Sequence, residues 1–131
     1  MTRPILSATL LCLWALPALS QTPDCANTMV QYELNICAEM DWQEADDDLN
    51  RAYKEVMAEM KAMDTNLPPE LQGAEDALRS AQRAWIDYRD ANCSTAGFQM
   101  RGGSAERLVV YGCLRQMTLE RTEELRALVA F

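Results

Sequence analysis

The chain has 131 residues, with 20 acidic and 12 basic side chains, no histidine and a formal net charge of −8. This length suits one domain, and the acidic balance disfavours nucleic-acid phosphates and anionic lipids while favouring basic partners. Because histidine is absent, the commonest general base and every Ser–His or Cys–His catalytic pair are excluded.

Residues 1–20 have the pattern of a secretory signal peptide. Arg3 supplies the positive start, an apolar stretch covers residues 5–16, and a small-x-small pattern ending at Ser20 predicts cleavage there. The stretch is too short to span a membrane, and no later segment approaches the required length. We therefore expect a helical domain, residues 21–131, that is soluble in the periplasm or outside the cell and does not insert into a membrane. Loss of Arg3 takes the basic residues from 12 to 11 against 20 acidic ones, so the formal charge becomes −9.

The first element of this domain is a long helix. Apolar side chains recur every three or four positions between residues 34 and 63, which is typical of an amphipathic helix. They are Leu34, Ala38, Trp42, Ala45, Leu49, Tyr53, Val56, Met60 and Met63. The acidic run at residues 44–48 lacks the glycine and terminal glutamate of a calcium loop, so we interpret it as a solvated helix face. Pro68 and Pro69 end the helix and can start the next one.

Two more helices follow. In the second helix the stripe of regularly spaced apolar side chains ends near Cys93. Residues 94–104 contain three glycines and no helical periodicity of apolar residues, which predicts a loop. Ser104 is a candidate cap for the third helix. The second stripe is Leu71, Ala74, Leu78, Ala81, Trp85 and Tyr88, and the third is Leu108, Tyr111, Leu114, Met117, Arg121, Leu125 and Leu128. We predict an all-α fold, a disulfide-stapled antiparallel three-helix bundle.

The cysteines predict two disulfides. Cys12 is lost with the signal peptide, and four cysteines remain, which leaves three connectivities open. They are Cys25, Cys37, Cys93 and Cys113. Because CxxC spacing and histidine are both missing, we predict no metal site and no cofactor. Helix register favours Cys37–Cys93 with Cys25–Cys113, for which the chain before Cys37 must fold back, through a break near residues 40–42. An unbroken first helix favours Cys25–Cys93 with Cys37–Cys113.

Several inward positions of the stripes are polar. They are Asp46, Asn50, Gln82, Arg89, Thr118 and Arg121. A buried charge is costly unless it is paired, so we expect Arg89 or Arg121 to meet an acid, with Asp46 the best-placed one. We interpret the set as a structural network that fixes helix register. The alternative is a ligand-recognition cluster.

The chain resembles the LprI-like family of lysozyme inhibitors, which are small exported bacterial proteins. The resemblance rests on the order and spacing of several short motifs. They are Gln31-Tyr32-Glu33-Leu34-Asn35-Ile36-Cys37-Ala38, Ala45-Asp46 with Leu49-Asn50 and Tyr53, Ala81-Gln82-Arg83-Ala84-Trp85, Tyr88-Arg89-Asp90 with Cys93, Gly102-Gly103-Ser104, and Cys113-Leu114 with Thr118, Arg121 and Leu125. It implies a periplasmic or secreted helical domain that inhibits lysozyme. The lipoprotein that gives the family its name carries a lipid anchor, whereas we expect this chain to be released.

These observations predict a protein that binds another macromolecule and is not an enzyme. Carboxylates are abundant, but no pair is marked out as that of a glycosidase. One hypothesis is a lysozyme inhibitor that occludes the groove of a basic lysozyme with the loop after the second helix. In that loop, Phe98 and Met100 would be apolar anchors, Gln99 lies between them, and Arg101 would reach a catalytic carboxylate. The alternative is a non-enzymatic periplasmic interaction module with an envelope partner other than lysozyme.

Overall fold

A computed structural model describes residues 22–130, so the predicted signal peptide lies outside the described residues. Three helices follow one another, α1 (Gln31–Asn66), α2 (Ala74–Gly97) and α3 (Glu106–Ala127), and residues 22–130 contain no strand. Helix α2 runs antiparallel to the other two, and the most extensive packing is between α1 and α3. The predicted all-α, disulfide-stapled antiparallel three-helix bundle is confirmed.

Helix α1 is continuous over 36 residues. At 1.5 Å per residue it is about 54 Å long, and neither glycine nor proline interrupts it. The break that one disulfide pairing required at residues 40–42 does not exist. The helix ends before Leu67, which has the extended backbone (ψ 150°) imposed by the following Pro68.

The start of α2 is capped by a side chain of α1. The Asp64 carboxylate accepts hydrogen bonds from the backbone N–H groups of Gly73, Ala74 and Glu75, at 2.8, 2.9 and 3.0 Å. Gly73 has φ +146°, a conformation that favours glycine. Three otherwise unpaired donors are thereby satisfied, and the negative charge faces the positive end of the helix dipole. The hydrogen bonds from Glu75, Gly73 and Ala74 lower the pKa of Asp64.

We expect Asp64→Ala to lower the melting temperature measurably at neutral pH, because it removes this cap. The folded-state pKa of Asp64 lies below the unfolded value of about 3.9, so its contribution is present above that value and is lost as pH falls through the folded pKa. The difference between wild type and variant should therefore shrink in acid. Thermal melts followed by circular dichroism from pH 7 downwards check this. Asp64→Asn should keep part of the cap without the acid dependence, and a difference that persists unchanged in acid would contradict the charge argument.

The apolar core lies towards the end of the bundle where α1 passes into α2. Its buried members come from all three helices, and larger half-buried side chains surround them. They are Leu49, Val56, Leu78 and Leu125, surrounded by Tyr53, Met57, Met60 and Trp85. Burial of such aliphatic side chains is the main stabilising contribution, about 1.5–3 kcal/mol each. Towards the other end, the interior becomes polar.

The buried face of α2 differs from the predicted stripe. Tyr88 is exposed, whereas Arg89 is buried, and the inward positions continue through Cys93 to Gly97. The helix thus extends four residues beyond Cys93, which shortens the predicted loop to residues 98–105. A Cβ at Gly97 would lie 2.6 Å from Cγ2 of Val110, so α2 and α3 approach closely because this residue is glycine.

Both predicted disulfide pairings are wrong. The bridges are Cys25–Cys37, with Cα atoms 5.6 Å apart, and Cys93–Cys113, with Cα atoms 5.4 Å apart. A turn begun by Asp24 folds the segment before α1 back along its first two turns, which brings the first pair together. The second pair joins the end of α2 to the start of α3. The favoured prediction counted residues from the α1–α2 turn and so paired Cys93 with Cys37 of α1. In the structure Cys93 faces Cys113 of α3 instead.

No helix within residues 22–130 combines the length and the apolar character needed to cross a bilayer.

Candidate functional site

One end of the bundle brings together three chain segments. There α1 begins, α2 ends and α3 begins, and we call this region the loop end. It comprises residues 22–35, residues 94–111 and the parts of α1 and α2 that face them. The predicted partner-binding residues lie in its connection from α2 to α3.

The predicted residues form an exposed tip. Phe98, Gln99 and Met100 make one 3₁₀ turn, with Phe98 61% and Met100 48% exposed. The Arg101 guanidinium carbon lies 4.8 Å from the centroid of the Phe98 ring, within the range of a cation–π contact. The turn therefore presents two apolar side chains and one cation to solvent.

Glu106 fixes the position of this tip. Its Oε1 lies 2.8 Å from Nη1 of Arg101, and its Oε2 accepts a hydrogen bond of 2.8 Å from the backbone N–H of Gly102. Gly102 has φ +75°, which favours glycine in this turn. The Gly102 hydrogen bond, followed by Arg101, lowers the pKa of Glu106, the first residue of α3. At neutral pH the carboxylate is ionised and holds both partners.

Asn35 connects the start of α1 to the segment between α2 and α3, just after the tip. Its Nδ2 donates to the backbone carbonyl of Ser104 at 2.9 Å, and its Oδ1 accepts from Nε2 of Gln31 at 3.0 Å. The residue is buried, so both polar ends of its amide are satisfied inside the protein. The sequence offered no signal for this contact beyond an asparagine within a helix.

A groove of about 740 Å³ lies between the three helices at the loop end. Its aromatic wall includes Tyr32, Trp42 and Tyr111, and the rings of Trp42 and Tyr111 are 5.6 Å apart at 30°. Arg107 lies at the rim, with its guanidinium carbon 5.6 Å from the Tyr111 ring centroid and its Nη2 2.8 Å from Oε2 of Glu39. A mainly apolar groove with a few charged groups at its edge is the usual form of a binding site.

Arg89 forms the floor of this groove. Its side chain is only 8% exposed, and its Nη1 lies 3.0 Å from Oδ1 of Asp46, as the inward charge had led us to expect. Its Nε donates to Asp90 at 2.9 Å, and Nη1 is also 3.4 Å from Oγ1 of Thr118. The buried cation therefore has two carboxylate partners, which compensates for its loss of water.

Tryptophan rings enclose the same guanidinium. Its carbon lies 5.8 Å from the Trp42 ring centroid and 5.0 Å from the Trp85 ring centroid. Arg121 makes a similar contact with the Trp85 ring, at 6.0 Å from its centroid. The Nε1–H group of Trp42 is buried and has no hydrogen-bond acceptor. An unpaired buried donor of this kind costs about 1–3 kcal/mol.

The remaining polar residues of the predicted set fall into two clusters. Asn50 donates to Oδ2 of Asp46 at 3.0 Å, which completes the cluster around Arg89. Arg121 forms the second cluster, with Nε donating to Oε1 of Gln82 at 3.1 Å and Nη1 2.8 Å from Oε2 of Glu124. Each cluster joins at least two helices. Among residues 22–130 no group of three or more Cys, Asp or Glu side chains is placed to hold a metal ion.

Comparison with known proteins adds the family. The sequence profile described as "Lysozyme inhibitor LprI" matches residues 23–125. The chain belongs to the LprI family. An uncharacterized protein, R02472, of Rhizobium meliloti (strain 1021) is 46% identical, with 96% of this chain and 93% of that protein covered. The crystal structure of a DUF1311 family protein (pp0307) from Pseudomonas putida KT2440 matches with a TM-score of 0.64 and 26% identity, over 75% of this chain and 92% of that one.

The LprI match covers both disulfides, the tip and the whole groove. The name describes a family of inhibitors, not of enzymes. Of the residues that the sequence singled out, Arg89 lines the groove and Phe98 to Arg101 form the exposed tip beside it. Sequence reasoning missed the aromatic wall, because Trp42 and Tyr111 fit the helical stripes and were assigned to the core.

Proposed function

We propose that this chain is an exported, non-enzymatic inhibitor that binds lysozyme with its loop end and blocks the substrate groove. Family membership supports the target, and the tip of residues 98–101 supports the mode of binding. Interfaces are typically centred on a few apolar or aromatic anchors together with arginine. Phe98, Met100 and Arg101 supply these on a turn whose backbone is held by the hydrogen bond from the Gly102 N–H to Glu106, so the backbone gains little order on binding.

Charge favours this partner. Lysozyme is a basic protein whose catalysis depends on two carboxylates in its groove. A processed inhibitor with a formal charge of −9 would be steered towards the basic surface as a whole. Arg101 has an exposed ion pair with Glu106, and such pairs contribute little. Exchange of Glu106 for a lysozyme carboxylate would therefore cost little free energy.

Export belongs to the same proposal. The signal pattern of residues 1–20 would place the chain in the periplasm or outside the cell, where lysozyme acts on the cell wall. Both disulfides are consistent with an oxidising compartment.

The direct test is lysis of a cell-wall suspension by lysozyme, with and without the purified, oxidised protein. We expect wild type to slow lysis at micromolar concentration, and the double variant Phe98→Ser/Met100→Ser to be about 10- to 100-fold weaker, because two anchors are truncated. Leu71→Ser is the matched control, since Leu71 is equally exposed (63%) but lies at the opposite end of the bundle. Absence of slowing by wild type at micromolar excess would overturn the proposed function.

A further inference from the structure

A second group of exposed apolar side chains lies at the same loop end as the tip. Met29 is 90% exposed and Tyr32 69% exposed, with Val30 between them also exposed. They precede or begin α1, so no helix of the bundle covers them. Isolated exposed apolar residues are ordinary, but a contiguous group of large ones indicates a contact surface.

This group is held next to the tip. Tyr32 lines the same groove as Gly103 and Ser104, and the Asn35–Ser104 hydrogen bond of 2.9 Å links the start of α1 to the connection that follows the tip. Each segment is also fixed by its own disulfide. Cys25–Cys37 ties the segment before α1 to that helix, and the other bridge closes the α2–α3 hairpin that carries the tip.

The tip alone is too small for a stable complex. A specific protein–protein interface buries about 800 Å² on each partner, contributed by about 20–30 residues. A turn of four residues supplies only a fraction of this area. The remaining contact area must come from neighbouring surface, and residues 29–32 provide the adjacent exposed apolar part of it.

The charges around both segments favour a basic occupant. The carboxylates at the loop end are those of Asp24, Glu33, Glu39, Asp90 and Glu106, against three arginines at positions 89, 101 and 107. The five carboxylates outnumber the three arginines by two, so the loop end carries an excess of negative charge. An apolar centre with an acidic rim is complementary to the surface of a basic protein.

We propose that residues 29–32 are the second half of the lysozyme-binding surface, which they form together with the tip of residues 98–101. This inference rests on the proposed function, because it takes lysozyme as the partner. It assigns a contact role to Met29 and Tyr32, and it makes the Cys25–Cys37 bridge a means of holding that half in place.

The test is the dissociation constant for immobilised lysozyme of the oxidised protein and its variants. Met29→Ser/Tyr32→Ser should raise it at least about tenfold, mainly through faster dissociation, while Leu71→Ser leaves it unchanged. Because both replaced side chains are exposed, circular dichroism and the melting temperature should match wild type. On binding, hydrogen exchange should slow at the backbone amides of residues 29–35 as well as at those of the tip.

The outcomes separate the two proposals. If wild type binds and the tip variant is weakened, but Met29→Ser/Tyr32→Ser binds as wild type does and residues 29–35 gain no protection, the second half is refuted while the proposed function stands. If wild type does not bind lysozyme at all, the proposed function fails and this inference fails with it. Weakening by both double variants supports the two-segment surface.

Discussion

Replacing Arg89 with alanine should lower the free energy of unfolding by about 2–4 kcal/mol. The change leaves the Asp46 carboxylate without its cation and opens a space between Trp42 and Trp85. Breaking a buried ion pair typically costs about 3–5 kcal/mol, and the value here is lower because Asp46 and Asp90 are partly exposed and keep contact with water. Denaturant titration followed by circular dichroism measures the loss.

Two variants make this result interpretable. Arg83→Ala removes an exposed arginine from the same helix and should change stability by no more than about 0.5 kcal/mol. Arg89→Met keeps much of the side-chain volume without the charge, so it should lose less than Arg89→Ala. If Arg89→Met folds and still inhibits lysozyme like wild type, the network has a structural role. A loss of inhibition without a loss of stability would favour the ligand-recognition alternative.

Removing the Cys93–Cys113 bridge by a double alanine substitution should cost about 3 kcal/mol in the chain-entropy model, since it releases a loop closed over a separation of 20 residues. Cys93 is fully buried, and its sulfur lies 3.6 Å from Sδ of Met117, so packing is lost as well. Denaturant titration of the double variant against wild type measures the loss. The proposed inhibition of lysozyme should fall too, because the hairpin that carries the tip loosens.

The Cys25–Cys37 bridge offers the comparison. It closes a separation of 12 residues around an exposed segment, so its removal should cost less than removal of the buried bridge. A non-reducing peptide map confirms which pair is present in each variant. Equal free energies of unfolding for wild type and the Cys93→Ala/Cys113→Ala variant would contradict the predicted stabilisation by the Cys93–Cys113 bridge.

The three helices could be predicted from the sequence because their periodicity is local. Each stripe repeats every three to four residues, and the Pro68-Pro69 pair lies where the first helix must end. The Arg89–Asp46 contact could also be predicted, because a charge on the inward face of a helix requires a partner. Few acidic residues lie at the corresponding level along the bundle. The first argument needs only the periodicity within one helix. The second needs only the high free-energy cost of burying an unpaired charge.

The disulfide pairing, the long-range hydrogen bonds and the groove could not be predicted, because they depend on how the helices pack. Nothing in the sequence indicates that α3 packs more extensively on α1 than α2 does, and this arrangement decides which cysteines meet. The Asp64 cap joins residues nine to eleven positions apart, and the Asn35–Ser104 bond joins residues 69 apart. Such contacts follow from the tertiary arrangement, so sequence spacing could not reveal them. The groove was missed for the same reason.

The cysteine pattern has a consequence for biogenesis. Within residues 22–130, each cysteine is joined to the next one along the chain, the first to the second and the third to the fourth. A polypeptide threaded through a translocon from its amino end would expose its thiols in that same order. An oxidase that links successive thiols as they emerge would therefore yield the native pattern directly, with no reshuffling by an isomerase. Maturation would then be limited by translocation rather than by correction of errors.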